Sequence, residues 1–201
     1  MRAQIAHRLP AVLSVEEVRR LLAAATPVHN QVYFTTVYSL GLRLHAALFL
    51  QVSDIDGPRL QGHVHRGQGA KDRYVPLPAD TLTLLRTSWK TPRNTTWLLP
   101  ATGRDQKQSA SAASPRSRSS VQGAFRKAKQ RAGLTKTGMA IHTLRHSYAT
   151  PLLEAGVHPR LIQRSLGHTQ RETTMLSLHL THKGHEDAYE RLNTLMHGLL
   201  P

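Results

Sequence analysis

The sequence predicts an α+β fold, mostly α-helical with one small antiparallel β-sheet. Apolar residues recur at helical spacing along most of the chain, and the period changes to alternation in two short stretches only. No internal repeat and no apolar run approaching the ~20 residues of a membrane span interrupts that pattern. With 201 residues, 39% of them apolar, the chain can bury a core without covalent staples, and it has no cysteine with which to make one.

The elements follow in order. Ser14 and Glu17 form a capping box that opens a helix running to Ala25, with Val18, Leu21 and Leu22 on its apolar face. A second helix spans Gln31 to Leu40 and stops at Gly41, and a third runs from Leu42 to Leu50. Arg59 to His65 and Arg73 to Leu77 alternate as two strands around a Gly-rich turn. A helix resumes near Asp80. Residues 102–120, rich in Ser, Ala and Arg, are predicted as a mobile polar loop, after which Ser120 caps a helix stopped by Gly133. Helices at Thr143 to Glu154, His158 to Ser165, Glu172 to His179 and Glu186 to Leu199 complete the chain.

Charge points to the partner. Twenty-seven Lys and Arg against 12 Asp and Glu give a net charge of +15, and phosphates offset such self-repulsion and steer encounter with a polyanion. Arg116, Arg118, Arg126, Lys127, Lys129, Arg131 and Lys136 follow one another with no acid between them. They read either as a solvated helix face or as a phosphate-contacting strip. No helix has the concentrated basic amphipathic face that membrane-surface binding needs, and the N-terminus lacks a signal-peptide core, so a soluble, cytoplasmic, nucleic-acid-associated protein is expected.

Four segments carry the chemistry. They are Gly41-Leu42-Arg43-Leu44-His45, Gly67-Gln68-Gly69-Ala70-Lys71-Asp72-Arg73-Tyr74-Val75-Pro76, His142-Thr143-Leu144-Arg145-His146, and Leu166-Gly167-His168 running on to Ser177. In order and spacing they resemble the catalytic domain of tyrosine recombinases, the phage-integrase family, over residues 13–180. The resemblance implies a fold of that type and attack on a DNA phosphodiester by a tyrosine, with a 3′-phosphotyrosyl intermediate and neither metal nor cofactor. Arg43 and Arg145 match the two family arginines that clamp the phosphate, a task suited to a permanently charged, forked guanidinium. His142 matches the histidine three residues before the second arginine, and His168 the phosphate-donating histidine of the Leu-Gly-His motif.

The departures from the family pattern are specific. Ser177 stands at the nucleophile position, nine residues after His168; its hydroxyl is shorter by a ring and has no adjacent base to activate it. Gln68 stands where the family places a lysine that protonates the leaving oxygen, and an amide cannot act as that acid. Lys71 is the candidate substitute. Ala46 occupies a usually acidic position, and Pro151 is expected to kink its helix. These features imply a degenerate DNA-binding recombinase domain. Two alternatives stand beside it: an active integrase using Lys71 and another nucleophile, and a basic RNA-binding protein.

The expected division is an N-terminal remnant, 1–12, and a catalytic domain, 13–201, without the core-binding domain that family members carry ahead of it. Duplex DNA is the expected partner, with self-association on DNA through the C-terminal helix 186–200, where Tyr189 reads as a packing residue rather than a displaced nucleophile. His63 with His65, His142 with His146, and His179, His182 and His185 have metal-ligand spacing. No cysteine or evident carboxylate accompanies them in the sequence, so no metal site is expected.

Overall fold

The computed structural model describes residues 11–65, 72–103, 105–167, 190, 191 and 193–197. Helix α1 (Val15–Ala23) opens as predicted: the Ser14 hydroxyl accepts from the Glu17 amide and the Glu17 carboxylate accepts from the Ser14 amide. Helix α2 (Val28–Ser39) starts three residues earlier than its apolar pattern suggested, with Asn30 buried in its first turn and donating from Nδ2 to the Thr26 carbonyl. Asn30 and every residue from Val32 to Ser39 are buried, so α2 is enclosed on all sides and is the axis of the core. Gly41 ends the segment with φ of 58°; a β-carbon there would approach Leu166 Cδ2 and Tyr148 Cδ1 to 2.9 Å. Helix α3 (Leu44–Leu48) is shorter than predicted at both ends, with Arg43 as its N-cap residue.

A tight turn at Val52–Asp54 leads into a three-stranded antiparallel sheet in the order β1 (Ile55–Asp56), β2 (Gln61–Val64), β3 (Arg73–Pro76). The two predicted strands are β2 and β3, paired from Gln61 with Pro76 to Val64 with Arg73. The third, β1, is two residues long and gives no alternation to read. Val64 and Val75 face the core, and α4 (Ala79–Trp89) returns against α2.

The polar stretch 102–120 contains more order than its composition implies. A short helix, α5 (Gln106–Ala110), is capped by Asp105. Its anchor is Asn94, which is 2% exposed. The Asn94 Nδ2 amide donates to the carbonyls of Ser109, Ala110 and Ala112, while Oδ1 accepts from the amides of Thr96 and Trp97. Helix α6 (Arg118–Arg131) begins before the predicted Ser120, since the hydroxyl that caps it is that of Ser117.

Helix α7 (Ile141–Glu154) continues across Pro151 to Glu154, so the proline is accommodated inside the element. Its Ser147 hydroxyl donates to the Thr143 carbonyl and accepts from the Leu13 amide, tying the start of the described chain to the core. Helix α8 (Pro159–Leu166) packs on α7 through Tyr148, Leu152, Leu161, Ile162 and Leu166, and ends at Gly167 in the left-handed region. The helix predicted over 172–179 and Tyr189 lie outside the described residues. Residues 190, 191 and 193–197 are helical and dock on their own chain. Asn193 Oδ1 accepts from the Ala79 amide, Arg191 donates to the Ala155 carbonyl, and Met196 is buried in the main core.

His29, half-buried in α2, has its pKa pushed down to about 4, first by burial and then by the charge of Arg116. An unfolded histidine titrates near pH 6.5, so between pH 6.5 and 4 the unfolded chain binds the extra proton and stability falls with pH. His29→Gln is therefore expected to flatten the loss of urea resistance between pH 6.5 and 4, relative to the unsubstituted chain, while leaving stability at pH 7.5 nearly unchanged.

Candidate functional site

The site is built around Arg145, on the core-facing side of α7 and 4% exposed. Its Nη1 donates to the Gly41 carbonyl and its Nη2 to the Leu166 carbonyl, both at 2.5 Å. One guanidinium thereby joins α7, the turn before Arg43, and the end of α8. The fork geometry of arginine makes this possible, since two roughly parallel donors meet two acceptors from separate segments.

Arg43 lies half-buried in that same turn. Arg73, on β3, reaches across to α8, where its Nε donates to the Ser165 carbonyl at 3.1 Å and its end packs against Gly167. The Arg73 Nη2 is buried without a hydrogen-bond partner. Burial pushes the Arg145 guanidinium down to about 10, and the positive charges of Arg43 and Arg73 push the same way. Burial and the charge of Arg43 likewise lower Arg73. Three guanidiniums thus share one electrostatic neighbourhood. Among the described residues, neither Arg73 nor Arg145 forms an ion pair.

His142 stands one helical turn before Arg145, so α7 places the two side chains on neighbouring ground. Its imidazole is held below the usual histidine range by burial, then by His146, Arg145, Arg43 and Arg118. The His142 ring is consequently mostly neutral near pH 7 and able to accept or donate a proton. The Arg118 influence brings the start of α6 to the rim of the same site.

The basic strip divides. Arg116 is 4% exposed and donates to the His29 carbonyl and to Asn30 Oδ1, with its pKa pushed down to about 10 chiefly by burial. Its guanidinium is spent on holding residues 99–116 to α2, which removes it from the expected phosphate-contacting set. Lys129 donates to the Lys136 carbonyl, and Arg131 to the Thr26 hydroxyl. Lys136 pairs with Glu17 of α1 at 2.5 Å, an acid the linear order of charges did not place there. Arg118, Arg126 and Lys127 are exposed on α6. Gln68, Lys71, His168 and Ser177 lie outside the described residues.

Comparison with known proteins places the chain in a family. The family model described as "Phage integrase family" matches residues 11–183. The chain belongs to that family. A putative integrase/recombinase, y4qK, of Sinorhizobium fredii is 39% identical over 167 residues, covering 83% of this chain and 51% of the relative. Tyrosine recombinase XerA of Thermococcus onnurineus is 35% identical, covering 96% of this chain and 66% of XerA. A lambda integrase dimer bound to a core site superposes with a TM-score of 0.68 at 20% identity, over 90% of this chain and 65% of that one. This integrase-family chain therefore spans between about half and two-thirds of the length of these curated relatives.

Sequence reasoning assigned no role to Arg73, although it lies inside the Gly-rich segment. Its alternation within β3 places it in a strand, but only the pairing of β3 beside α8 shows what the side chain reaches. Arg145→Ala removes two charge-assisted hydrogen bonds and leaves two carbonyls to find other partners. It is expected to destabilise the chain by about 2–4 kcal/mol in urea denaturation, with Arg43→Ala costing less.

Proposed function

We propose that this chain is the DNA-binding catalytic domain of a tyrosine-type site-specific recombinase, with strand cleavage impaired by its substitutions. The observation that carries the reading is the convergence of Arg43, Arg73 and Arg145 with His142 in one electrostatic neighbourhood of concentrated positive charge. A DNA backbone phosphate is the complement of such a cluster, and guanidinium donors suit its non-bridging oxygens. Lambda integrase, with which this chain shares its fold, is bound to a DNA core site in its structure. Residues 13–201 constitute the domain in this reading.

On that footing the residues divide the work. Arg43 and Arg145 are assigned to the phosphate by their motifs, Arg145 through the guanidinium N–H groups that its bonds to the Gly41 and Leu166 carbonyls leave over. His142, neutral near pH 7, moves a proton at the reacting oxygens. His168 is assigned the second donor position by its Leu-Gly-His motif. Ser177 stands in sequence where the family nucleophile stands, and Gln68 where its lysine acid stands. A short aliphatic hydroxyl and a non-acidic amide are poor replacements, which is why cleavage should fail while phosphate binding survives. Self-association on DNA through residues 186–200 belongs to the same reading.

Arg118, Arg126 and Lys127 extend the charge outward along α6. Duplex DNA affinity is expected to fall steeply between 50 and 200 mM salt. Arg126→Ala with Lys127→Ala should reduce the slope of log affinity against log salt by about 2, measured by fluorescence anisotropy. Structured RNA, tested in competition, should displace the duplex poorly; preference for the RNA would overturn the DNA assignment in favour of an RNA-binding protein.

A nicked suicide duplex tests the chemistry. No covalent protein–DNA adduct is expected on a denaturing gel from the unsubstituted chain. Ser177→Tyr with Gln68→Lys is expected to form one. An adduct from the unsubstituted chain would instead support an active enzyme using Lys71 and another nucleophile.

A further inference from the structure

We propose that Asp54, His63, His65 and Asp72 form a binding site for a divalent transition-metal ion, at the stem of the turn that joins β2 to β3. The alternation of β2 puts residues 63 and 65 on one side of the strand, opposite the buried Val64. Their imidazole rings lie 4.1 Å apart, and the His63 ring is stacked on Tyr74. The carboxylates that sequence order did not reveal arrive from elsewhere in the chain. Asp54 comes from the turn before β1, and Asp72 from the residue before β3.

The distances are those of a ligand shell. Asp72 Oδ2 lies 3.4 Å from His63 Nε2 and 3.6 Å from His65 Nδ1. Ligands bound at about 2.0–2.1 Å in a tetrahedral zinc site are separated from one another by about 3.4 Å. One ligand atom each from Asp54, His63 and His65 likewise fall within 4.8 Å of one another. An imidazole and carboxylate set of this kind suits zinc and its neighbours rather than magnesium or calcium.

Asp54 supplies what an isolated histidine pair lacks. It is buried, its Oδ2 accepts from the Gln51 amide, and its Oδ1 lies 2.6 Å from His65 Nε2. A carboxylate fixed on one ring nitrogen sets the tautomer and turns the other nitrogen, Nδ1, towards Asp72. This is the outer-shell arrangement that orients metal-binding histidines. The geometry assigns His63, His65 and Asp72 to the metal and Asp54 to positioning His65. The side chains of His65 and Asp72 are about half exposed, which leaves a path for the ion and room for a water ligand. The ion would fasten the end of β2 to the start of β3, on either side of the segment 66–71 that contains Gln68 and Lys71 in sequence. It would need no direct part in phosphate chemistry.

The test uses the full chain and Zn2+ alone, at pH 7.5, with calorimetry and X-ray absorption. One equivalent is expected to bind with a first shell containing two imidazoles and carboxylate oxygen. His63→Gln, His65→Gln and Asp72→Asn should each weaken that equivalent at least tenfold. His179→Gln with His182→Gln and His185→Gln should leave it intact. The site is refuted if the His63→Gln, His65→Gln double variant binds Zn2+ as the unsubstituted chain does, or if the triple variant abolishes the tight equivalent. Should the variants unfold, the absorption spectrum of the unsubstituted chain decides alone: a shell without imidazole pairs refutes the site. DNA affinity, measured separately, reports on the recombinase reading and is independent of either outcome.

Discussion

A single buried cation organises the site. Arg145 sits inside the protein with its charge intact and its two forked donors on the carbonyls of Gly41 and Leu166. An unpaired ion in the interior is costly, and hydrogen bonds to backbone carbonyls are the compensation found here. Those carbonyls belong to the turn that carries Arg43 and to the end of the helix that precedes the Leu-Gly-His motif. The chain therefore cannot satisfy Arg145 without bringing the other elements of the site to it. The left-handed turn at Gly41 serves the same end, since a side chain there would meet Tyr148 and Leu166.

A second buried guanidinium does the opposite work. Arg116 has similar burial, but its partners are His29 and Asn30 at the start of α2, outside the recombinase motifs. Two arginines with equal claims on phosphate by residue type thus divide into one that builds a site and one that closes a loop. What separates them is the company they keep. Arg145 shares its surroundings with the charges of Arg43 and Arg73, whereas Arg116 is buried against His29 and Asn30.

Much of the fold was legible because it rests on local rules. The capping box at Ser14 and Glu17, the glycine stops at Gly41 and Gly133, and the alternation in β2 and β3 are properties of neighbouring residues. The pairing of Arg43 with Arg145 was an expectation from the resemblance of their motifs to a family, since neither segment alone says where the other lies. The failures share a cause. Asn94 binding Ser109 to Ala112, Glu17 meeting Lys136, and Asp54 and Asp72 facing the histidines are all contacts between segments. Composition could not distinguish the ordered stretch around α5 from a loose loop, because backbone carbonyls that accept from a buried amide look the same in sequence as carbonyls bonded to water. The burial of Asn30 in the first turn of α2 was hidden for the same reason.

The arrangement around Asn94 bears on how the segment behaves as a unit. The two N–H groups of one amide side chain are shared among three carbonyls and its oxygen accepts from two amides, so the segments of chain on either side of α5 share a single clasp rather than a row of separate fasteners. Such a clasp has no half-released state: rotating the amide breaks bonds to Ser109, Ala110, Ala112, Thr96 and Trp97 together. The stretch from 94 to 112 consequently opens cooperatively or stays shut, and its amide protons should exchange with solvent as one group.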